Sequence, residues 1–376
     1  MEDIAVLDGL NEAQREAVLA GDGPLLVLAG AGSGKTKVIA HRIAYLIGER
    51  HVHPRNIVAL TFTNKAAREM RDRVTGLLGG TTHEVWLGTF HSFCAFILRQ
   101  EIEAAGFTRN FTIYDETDQL ALVKDIIKNM EQNGVSPEPR RVLHRISRLK
   151  QNLRGPEACD QKDPFEATVK RVYLRYQEEL CRRNGLDFDD LLRFAVRILT
   201  ENGATLSKYQ RRFRYILVDE YQDTNHAQFM LAELLSRAHR NILVVGDEDQ
   251  SIYGWRGADI GNLLDFAKHF PEARVVRLEK NYRSTGTILD AASALVKHNK
   301  RRMGKRLLTT RERGGKIQLY VAEDARDEAR FVVEEIKHSG GDYRDFAVLY
   351  RTNAQSRVLE ERLAEADIPY VVLAGV

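Results

Sequence analysis

The sequence is poor in the residues that mark a special environment. It has three cysteines in 376 residues, Cys94, Cys159 and Cys181, with no C-x-x-C spacing. That odd number argues against a disulfide framework or a thiolate zinc site, and predicts reduced thiols, buried or half-buried. No apolar run approaches the ~20 residues of a membrane span. The opening MEDIAVLDGLNEAQ is acidic where a secretory leader is basic. A cytoplasmic chain with no membrane partner is expected. Charge of one sign is also missing, since 56 Lys+Arg stand against 53 Asp+Glu. A polyanion partner would have to be held by local clusters, not by the whole surface. Internal repeats and low-complexity tracts are absent from the sequence as well.

What is present is one repeated grammar: β-rich residues, then polar or glycine residues, then a helical pattern. It occurs in PLLVLAGAGSGKT (24–36), NIVALTFTNKAAREM (56–70), YILVDEYQDT (215–224) and NILVVGDEDQ (241–250). Such runs suit central strands of a parallel α/β sheet covered by helices on both faces. Ligands of these sheets bind beyond the strand C-terminal ends, where all four runs carry their polar residues. From about Ser92 to Tyr209 the texture is helical, as in QLALVKDIIKNMEQ and TVKRVYLRYQEELCRR, with loops at 134–141 and 153–164. This reads as a helical domain inserted into the sheet domain. After about Lys280 a second α/β pattern begins. TGTILDAASALVKHN, DEARFVVEEIKHSG and AQSRVLEERLAEAD predict helices, while KIQLYVA, DFAVLYRTN and IPYVVLAGV predict strands. The expected domains are 1–91 with 210–280, an insertion at 92–209, and a second domain at 281–376, incomplete at its C-terminus.

The stretch AGAGSGKT reads as a phosphate cradle. Gly30, Gly32 and Gly34 let the backbone curl with its N–H groups inward. Lys35 adds a charge for the β- and γ-phosphates, and Thr36 offers a hydroxyl to Mg²⁺. Asp219 and Glu220 end an apolar strand, where an unpaired acidic pair would be costly. They make sense if Asp219 holds Mg²⁺ and Glu220 polarises an attacking water. Gln250 ends the fourth run, placed to sense a γ-phosphate with a neutral amide. Beyond it, Tyr253, Trp255 and Arg256 lie in a glycine-flanked loop. By composition they are either a base-stacking platform or, for the aromatics, core anchors.

LNEAQREAV, AGAGSGKT, TFTNKAAREM, GTFHSFC, DFDDLL, VDEYQDTN, GDEDQSIYGWRGA and NYRST follow one another in this order. Together they resemble the superfamily 1A DNA helicases of the UvrD/Rep/PcrA type, over essentially the whole chain. The resemblance implies RecA-like motor domains with helical insertions, here one P-loop RecA-like domain and the first part of a second. It implies ATP-driven, 3′-to-5′ movement on single-stranded DNA in repair or replication, at single/double-strand junctions, with repair proteins as partners and a monomeric chain. ATP and Mg²⁺ would sit in the cradle formed by Ala29, Gly30, Ala31, Gly32, Ser33, Gly34, Lys35, Thr36 and Lys37. Gln14 would read adenine, Tyr282 would stack on it, and Arg283 would reach the γ-phosphate. For DNA the resemblance points to Phe62, Thr63, Asn64, His91, Tyr253, Trp255 and Arg256, and to Arg351 and Asn353 in the second domain. Departures from the family pattern are Lys37 for an arginine and Tyr221 for a phenylalanine, while Ala29, which departs from the general P-loop pattern, fits the helicase version.

The family's later motifs, one with a further arginine for the γ-phosphate, are not in this sequence. The expectation is an N-terminal portion that binds ATP and DNA weakly and hydrolyses slowly. A nucleotide-gated DNA-binding module and the motor part of a helicase–nuclease are the other readings. One further segment, RRVLHRISRLKQNLR (140–154), is read either as a solvated helix or as a duplex-contacting patch through Arg145, Arg148 and Lys150.

Overall fold

The four predicted strands all form, and two more flank them. In the computed structural model, which describes residues 5–80, 84–130 and 137–373, β1 (Leu25–Ala29), β2 (Ile57–Thr61) and β3 (Trp86–Thr89) come from the first part of the chain. After a short pair, β4 (Thr112–Tyr114) with β5 (Gly185–Asp187), the sheet is completed by β6 (Tyr215–Val218), β7 (Ile242–Gly246) and β8 (Arg274–Leu278). The six main strands are parallel in the order β3-β2-β6-β7-β1-β8. A last short pair, β9 (Lys280–Asn281) with β10 (Leu308–Thr309), follows β8. The outer strands were not read from sequence: VWLGT and RVVRL are short and interrupted by Gly88 and by two arginines.

Period-2 alternation divides the central strands between two cores. Leu26, Leu28, Val58 and Leu60 face one core, while Leu25, Val27, Ile57 and Ala59 face the other. All of these are buried, as expected for parallel strands covered on both sides. Helices α1 (Glu12–Leu19), α2 (Lys35–Gly48) and α3 (Asn64–Leu78) cover the second core. Helix α4 (Phe90–Glu101) covers the first.

The helical segment has two allegiances. Helices α5 (Glu116–Met130), α6 (Pro139–Gln151) and α7 (Pro164–Arg182) share a core of their own, including Val142, Ile146 and Tyr173. Helix α8 (Phe188–Glu201) and Tyr209 of α9 (Gly203–Arg212) join the sheet's core instead. Helices α10 (His226–Ser236), α11 (Gly261–Leu264), α12 (Phe266–His269) and α13 (Gly286–Val296) complete this part. Cys94 and Cys159 are buried free thiols and Cys181 is an exposed one, so the expectation of buried or half-buried thiols holds for the first two only. No helix among the described residues is long and apolar enough to cross a membrane.

The chain forms two compact units that divide at Gly314/Gly315. In the second, α14 (Ala325–Ser339) and α15 (Ser356–Glu365) pack through Val333, Ile336, Leu363 and Ile368. Both helices match the sequence reading, but the strands predicted at KIQLYVA, DFAVLYRTN and IPYVVLAGV do not form among the described residues. Leu319, Val321, Leu349 and Val371 are instead largely exposed. The physical reason is that alternation reports which face a strand would bury, whereas a strand exists only where a neighbour supplies the ladder. The last three residues of IPYVVLAGV, and part of the loop at 134–141, lie outside the described residues.

Candidate active site

Strand order converges the polar loops. Because β6, β7 and β1 are adjacent, the loops after Val218, Gly246 and Ala29 open at one edge of the sheet. The cradle after β1 runs through Gly32 (φ +67°) and Gly34 (φ +92°) into α2. A Cβ on Gly32 would stand 2.6 Å from the Arg283 Cβ, and one on Gly34 would stand 2.7 Å from Gln14 Nε2, so geometry and space both demand glycine. The loop carbonyls are turned outward and taken by protein donors. Ser33 Oγ donates to Gly30 O (2.7 Å), Asn281 Nδ2 to Ala31 O (2.6 Å), Tyr282 N to Gly32 O (2.9 Å) and Gln14 Nε2 to Ser33 O (2.8 Å). In a trans peptide the C=O and the next N–H point oppositely, so these held carbonyls turn the Ala31, Gly32 and Gly34 N–H groups to the other side, while Ser33 N donates to Gly30 O (3.2 Å).

Gln14, buried in α1, also accepts from Asn11 N (3.0 Å), and Asn11 Nδ2 donates to Tyr282 Oη (2.7 Å). Gln14, Tyr282 and the cradle are thereby brought together. Arg283 is exposed beside Gly32, its N–H held by Asn281 Oδ1 (2.9 Å). Lys37 points elsewhere, its ammonium donating to Gly9 O (2.7 Å).

The acidic pair meets the cradle lysine. Lys35 Nζ lies 3.1 Å from Glu220 Oε2 and donates to Gln250 Oε1 (3.2 Å). Gln222 Nε2 donates to the same Glu220 oxygen (2.9 Å), while its Oε1 accepts from Asp247 N (3.0 Å). Gln250 Nε2 returns to Asp247 Oδ2 (2.5 Å). Lys35, Glu220, Gln222, Asp247 and Gln250 thus form one closed ring across the ends of β1, β6 and β7.

Glu220 holds a left-handed backbone (φ +48°, ψ +44°). For a residue with a Cβ this costs roughly 1–2 kcal/mol and marks a position held by its surroundings. Asp219 beside it is buried, and the nearby Thr36 hydroxyl favours its charged form. Burial, and then the neighbouring Glu220 charge, push its pKa up to about 7 against the opposing pull of Lys35. Among the described residues no cluster of three or more His, Cys, Asp or Glu side chains could hold a metal. One buried carboxylate beside a hydroxyl, with phosphate oxygens still to be supplied, is the oxygen donor set that suits Mg²⁺.

The residues singled out for DNA are spread over several elements. Phe62, Thr63 and Asn64 follow β2, and His91 follows β3, at the far side of the sheet order. Phe62 is half-buried, 5.8 Å from the Phe90 ring centroid. Thr63 caps α3 by accepting from Ala66 N (3.1 Å), and Asn64 is exposed. His91 stands edge-on to Phe188 at 5.6 Å, and burial takes its pKa down to about 4, so the ring is neutral at pH 7. After β7, Trp255 is 66 % exposed, which excludes a core-anchor role for it, and Tyr253 is half-buried. The Arg256 guanidinium lies 4.6 Å from the Trp255 centroid and 5.6 Å from that of Tyr253. Arg351 and Asn353 belong to the second unit and are exposed there.

The duplex-patch reading of 140–154 is corrected by the structure. Lys150 is fully buried, with Nζ 2.6 Å from Asp187 Oδ2 and 2.8 Å from Asp190 Oδ2. Tyr176 Oη donates to the same Asp187 oxygen at 2.9 Å. Burial alone would lower the Lys150 pKa, but the two carboxylates reverse this and raise it above the ordinary lysine value. Arg145 is bidentate to Glu166 (2.6 and 3.1 Å). Of the cations proposed for that patch, only Arg148 is left on the exposed face. Asp187 and Asp190 of the DFDDLL motif are therefore internal, while Phe188 is exposed, and Asp187 also caps α8, accepting from Asp190 N (2.8 Å).

Sequence reasoning missed Gln222, Asp247 and Asn281. Each sits within a quoted motif, and only tertiary pairing shows its partner.

Comparison with known proteins agrees with this geometry. The family model described as the UvrD/REP helicase N-terminal domain matches residues 10–271, and the UvrD-like helicase C-terminal domain matches residues 276–376. Proteins named ATP-dependent DNA helicase PcrA from Staphylococcus epidermidis and Staphylococcus aureus are 50% identical over 376 residues, covering 99% of this chain. The chain spans about half the length of these curated relatives, 52% in each case. A P-loop sheet with the acid pair and the glutamine on adjacent strands, matched along nearly its whole length by these domains, places the chain in the UvrD/Rep helicase family.

Proposed function

We propose that this chain binds ATP with Mg²⁺ in the cradle and hydrolyses it in a cycle coupled to movement along single-stranded DNA, as part of a DNA helicase. The carrying observation is the closed ring, in which Lys35 contacts both Glu220 and Gln250, and Gln222 and Asp247 close the circuit between those two. The inward N–H groups and Lys35 take the phosphates. Thr36 and Asp219 would hold Mg²⁺, which supplies charge neutralisation at the β- and γ-phosphate oxygens. A phosphate drawing Lys35 away from Glu220 frees that carboxylate to orient water and accept its proton. Gln250, released by the same movement, contacts the γ-phosphate. Gln14 and Tyr282 take the adenine, and Arg283 stabilises charge on the transferring group.

On the DNA side, Trp255 and Tyr253 stack on bases, as does Phe62 after β2. Thr63, Asn64, His91, Arg256, Arg351 and Asn353 take phosphates or base edges, so binding is largely blind to sequence. Single-stranded DNA, and junctions with duplex, are the proposed partners, with the 3′-to-5′ sense that the family resemblance implies. Trp255→Ala is expected to weaken binding of a single-stranded oligonucleotide by about 1–3 kcal/mol. Fluorescence anisotropy at fixed salt checks this, and unchanged affinity would remove Trp255 from the interface.

The deciding experiment is ATP hydrolysis with and without single-stranded DNA, comparing the unaltered chain with Glu220→Gln. Stimulation present in the first and lost in the second bears out the reading. Absence of stimulation in both leaves a nucleotide-gated DNA-binding module instead.

A further inference from the structure

The acidic turn after β7 carries Asp247, Glu248 and Asp249 in succession, and the hydrolysis scheme uses none of them directly. Asp247 and Glu248 are buried. Consecutive carboxylates of this kind repel one another and need a cation. The cation shared by all three comes from far along the chain. Lys305, its side chain 2% exposed, places Nζ 2.5 Å from Asp247 Oδ1, 2.8 Å from Glu248 Oε2 and 3.2 Å from Asp249 Oδ2. Arg302 Nη2 (2.7 Å) and Asn299 Nδ2 (3.1 Å) secure Asp249 from the same segment. Burial alone would lower the Lys305 pKa, and the Asp247 and Glu248 carboxylates outweigh it, so the ammonium is charged.

The two oxygens of Asp247 have different clients: Oδ1 accepts from Lys305 and from the Asp249 N–H (3.0 Å), and Oδ2 accepts from Gln250 Nε2. A carboxylate held at one oxygen by a buried ammonium presents the other in a fixed direction. A carboxylate only accepts, so the Gln250 amide turns Nε2 to Asp247 and leaves Oε1 towards Lys35, and the anchored Oδ2 fixes where that amide sits. A second contact ties the same segment to the cradle. Leu307 packs so closely over Gly30 that a Cβ there would stand 2.2 Å from Leu307 Cδ2. Pairing of Leu308 with Lys280 and Thr309 with Asn281 anchors the segment just beyond.

We propose that Lys305 is a positioning residue for the hydrolysis site, a buried cation from the region after Arg283 that sets Gln250 through Asp247. The inference rests on the reading of the cradle as an ATP-hydrolysing site. Its consequence is that the segment 302–307 must be seated before Gln250 can act, although none of its side chains is assigned to nucleotide.

The test uses the whole chain with Lys305→Met and Lys305→Arg. Three measurements are made: equilibrium binding of a fluorescent ATP analogue, single-turnover ATP hydrolysis with single-stranded DNA, and amide hydrogen exchange without nucleotide. For Lys305→Met, affinity is expected within about twofold of the unaltered chain, while hydrolysis falls by about tenfold or more. Exchange should accelerate in residues 247–256 and remain unchanged in β1 and β2. Lys305→Arg, which keeps the charge, should recover most of the rate. Hydrolysis by Lys305→Met at the unaltered rate overturns the proposal. So does faster exchange across the whole sheet, or none in 247–256, since the first is general loss of structure and the second shows that Gln250 needs no such anchor. If the unaltered chain hydrolyses no faster than Glu220→Gln, the hydrolysis reading is what fails. The exchange result then still decides whether Lys305 sets Gln250.

Discussion

Glu220→Gln is expected to bind ATP as the unaltered chain does and to hydrolyse it about 10²–10⁴-fold more slowly, the usual contribution of a positioned general base. The substitution preserves volume and leaves an amide oxygen to accept from Gln222, so the ring is perturbed at one corner only. What is lost is the carboxylate that pairs with Lys35 and is proposed to take a proton from the attacking water. The left-handed backbone at 220 is a property of the turn between β6 and the residues 221–223, and glutamine occupies it no worse than glutamate. Binding and rate should therefore separate. Quench-flow turnover alongside equilibrium nucleotide binding checks this, and a parallel loss in both would show that Glu220 holds the loop instead of the water.

Lys150→Met is expected to destabilise the first unit by about 3–5 kcal/mol, since it strands the Asp187 and Asp190 carboxylates in a dry interior. Burial and the adjacent Asp187 charge already raise the Asp190 pKa to about 6, even with Lys150 present. Without the ammonium, α8 would have to take up protons or loosen. Combining Lys150→Met with Asp187→Asn and Asp190→Asn should recover most of the loss, because an apolar and amide cluster carries no unpaired charge. Urea unfolding of the single and triple variants measures both. A single variant as stable as the unaltered chain would mean that water reaches this cluster.

Legibility in the sequence followed locality. The cradle, the acid pair and the four central strands were readable because each is fixed by adjacent residues: a glycine turn, a strand end, an apolar run. The ring was only half readable. Lys35, Glu220 and Gln250 lie in recognisable motifs, but Gln222 and Asp247 gain meaning from strands that become neighbours only in the folded sheet. Lys305 had no local signal at all, standing among other cations in NKRRMGKR. Lys150 was misread although the sequence held the clue. With Val142 and Ile146 it repeats every four residues, so it lies on the apolar stripe of α6 and not on its solvent face. The strands expected after Lys316 failed for the opposite reason, since alternation is a local signal and pairing is not.

The sheet order has a consequence for how such a protein can be altered over generations. The groups proposed for hydrolysis follow three adjoining strands, β6, β7 and β1, and most of those proposed to meet nucleic acid follow β2 and β3 on the other side of β6. Substitutions in the loops after β2 and β3 would then change what is gripped with less effect on the proposed hydrolysis. The exception is the run from Asp247 to Arg256, where one short stretch of backbone answers to both. Variation there is constrained twice over, and a lineage that adopted a new track would be expected to rewrite β2 and β3 long before it touched that stretch.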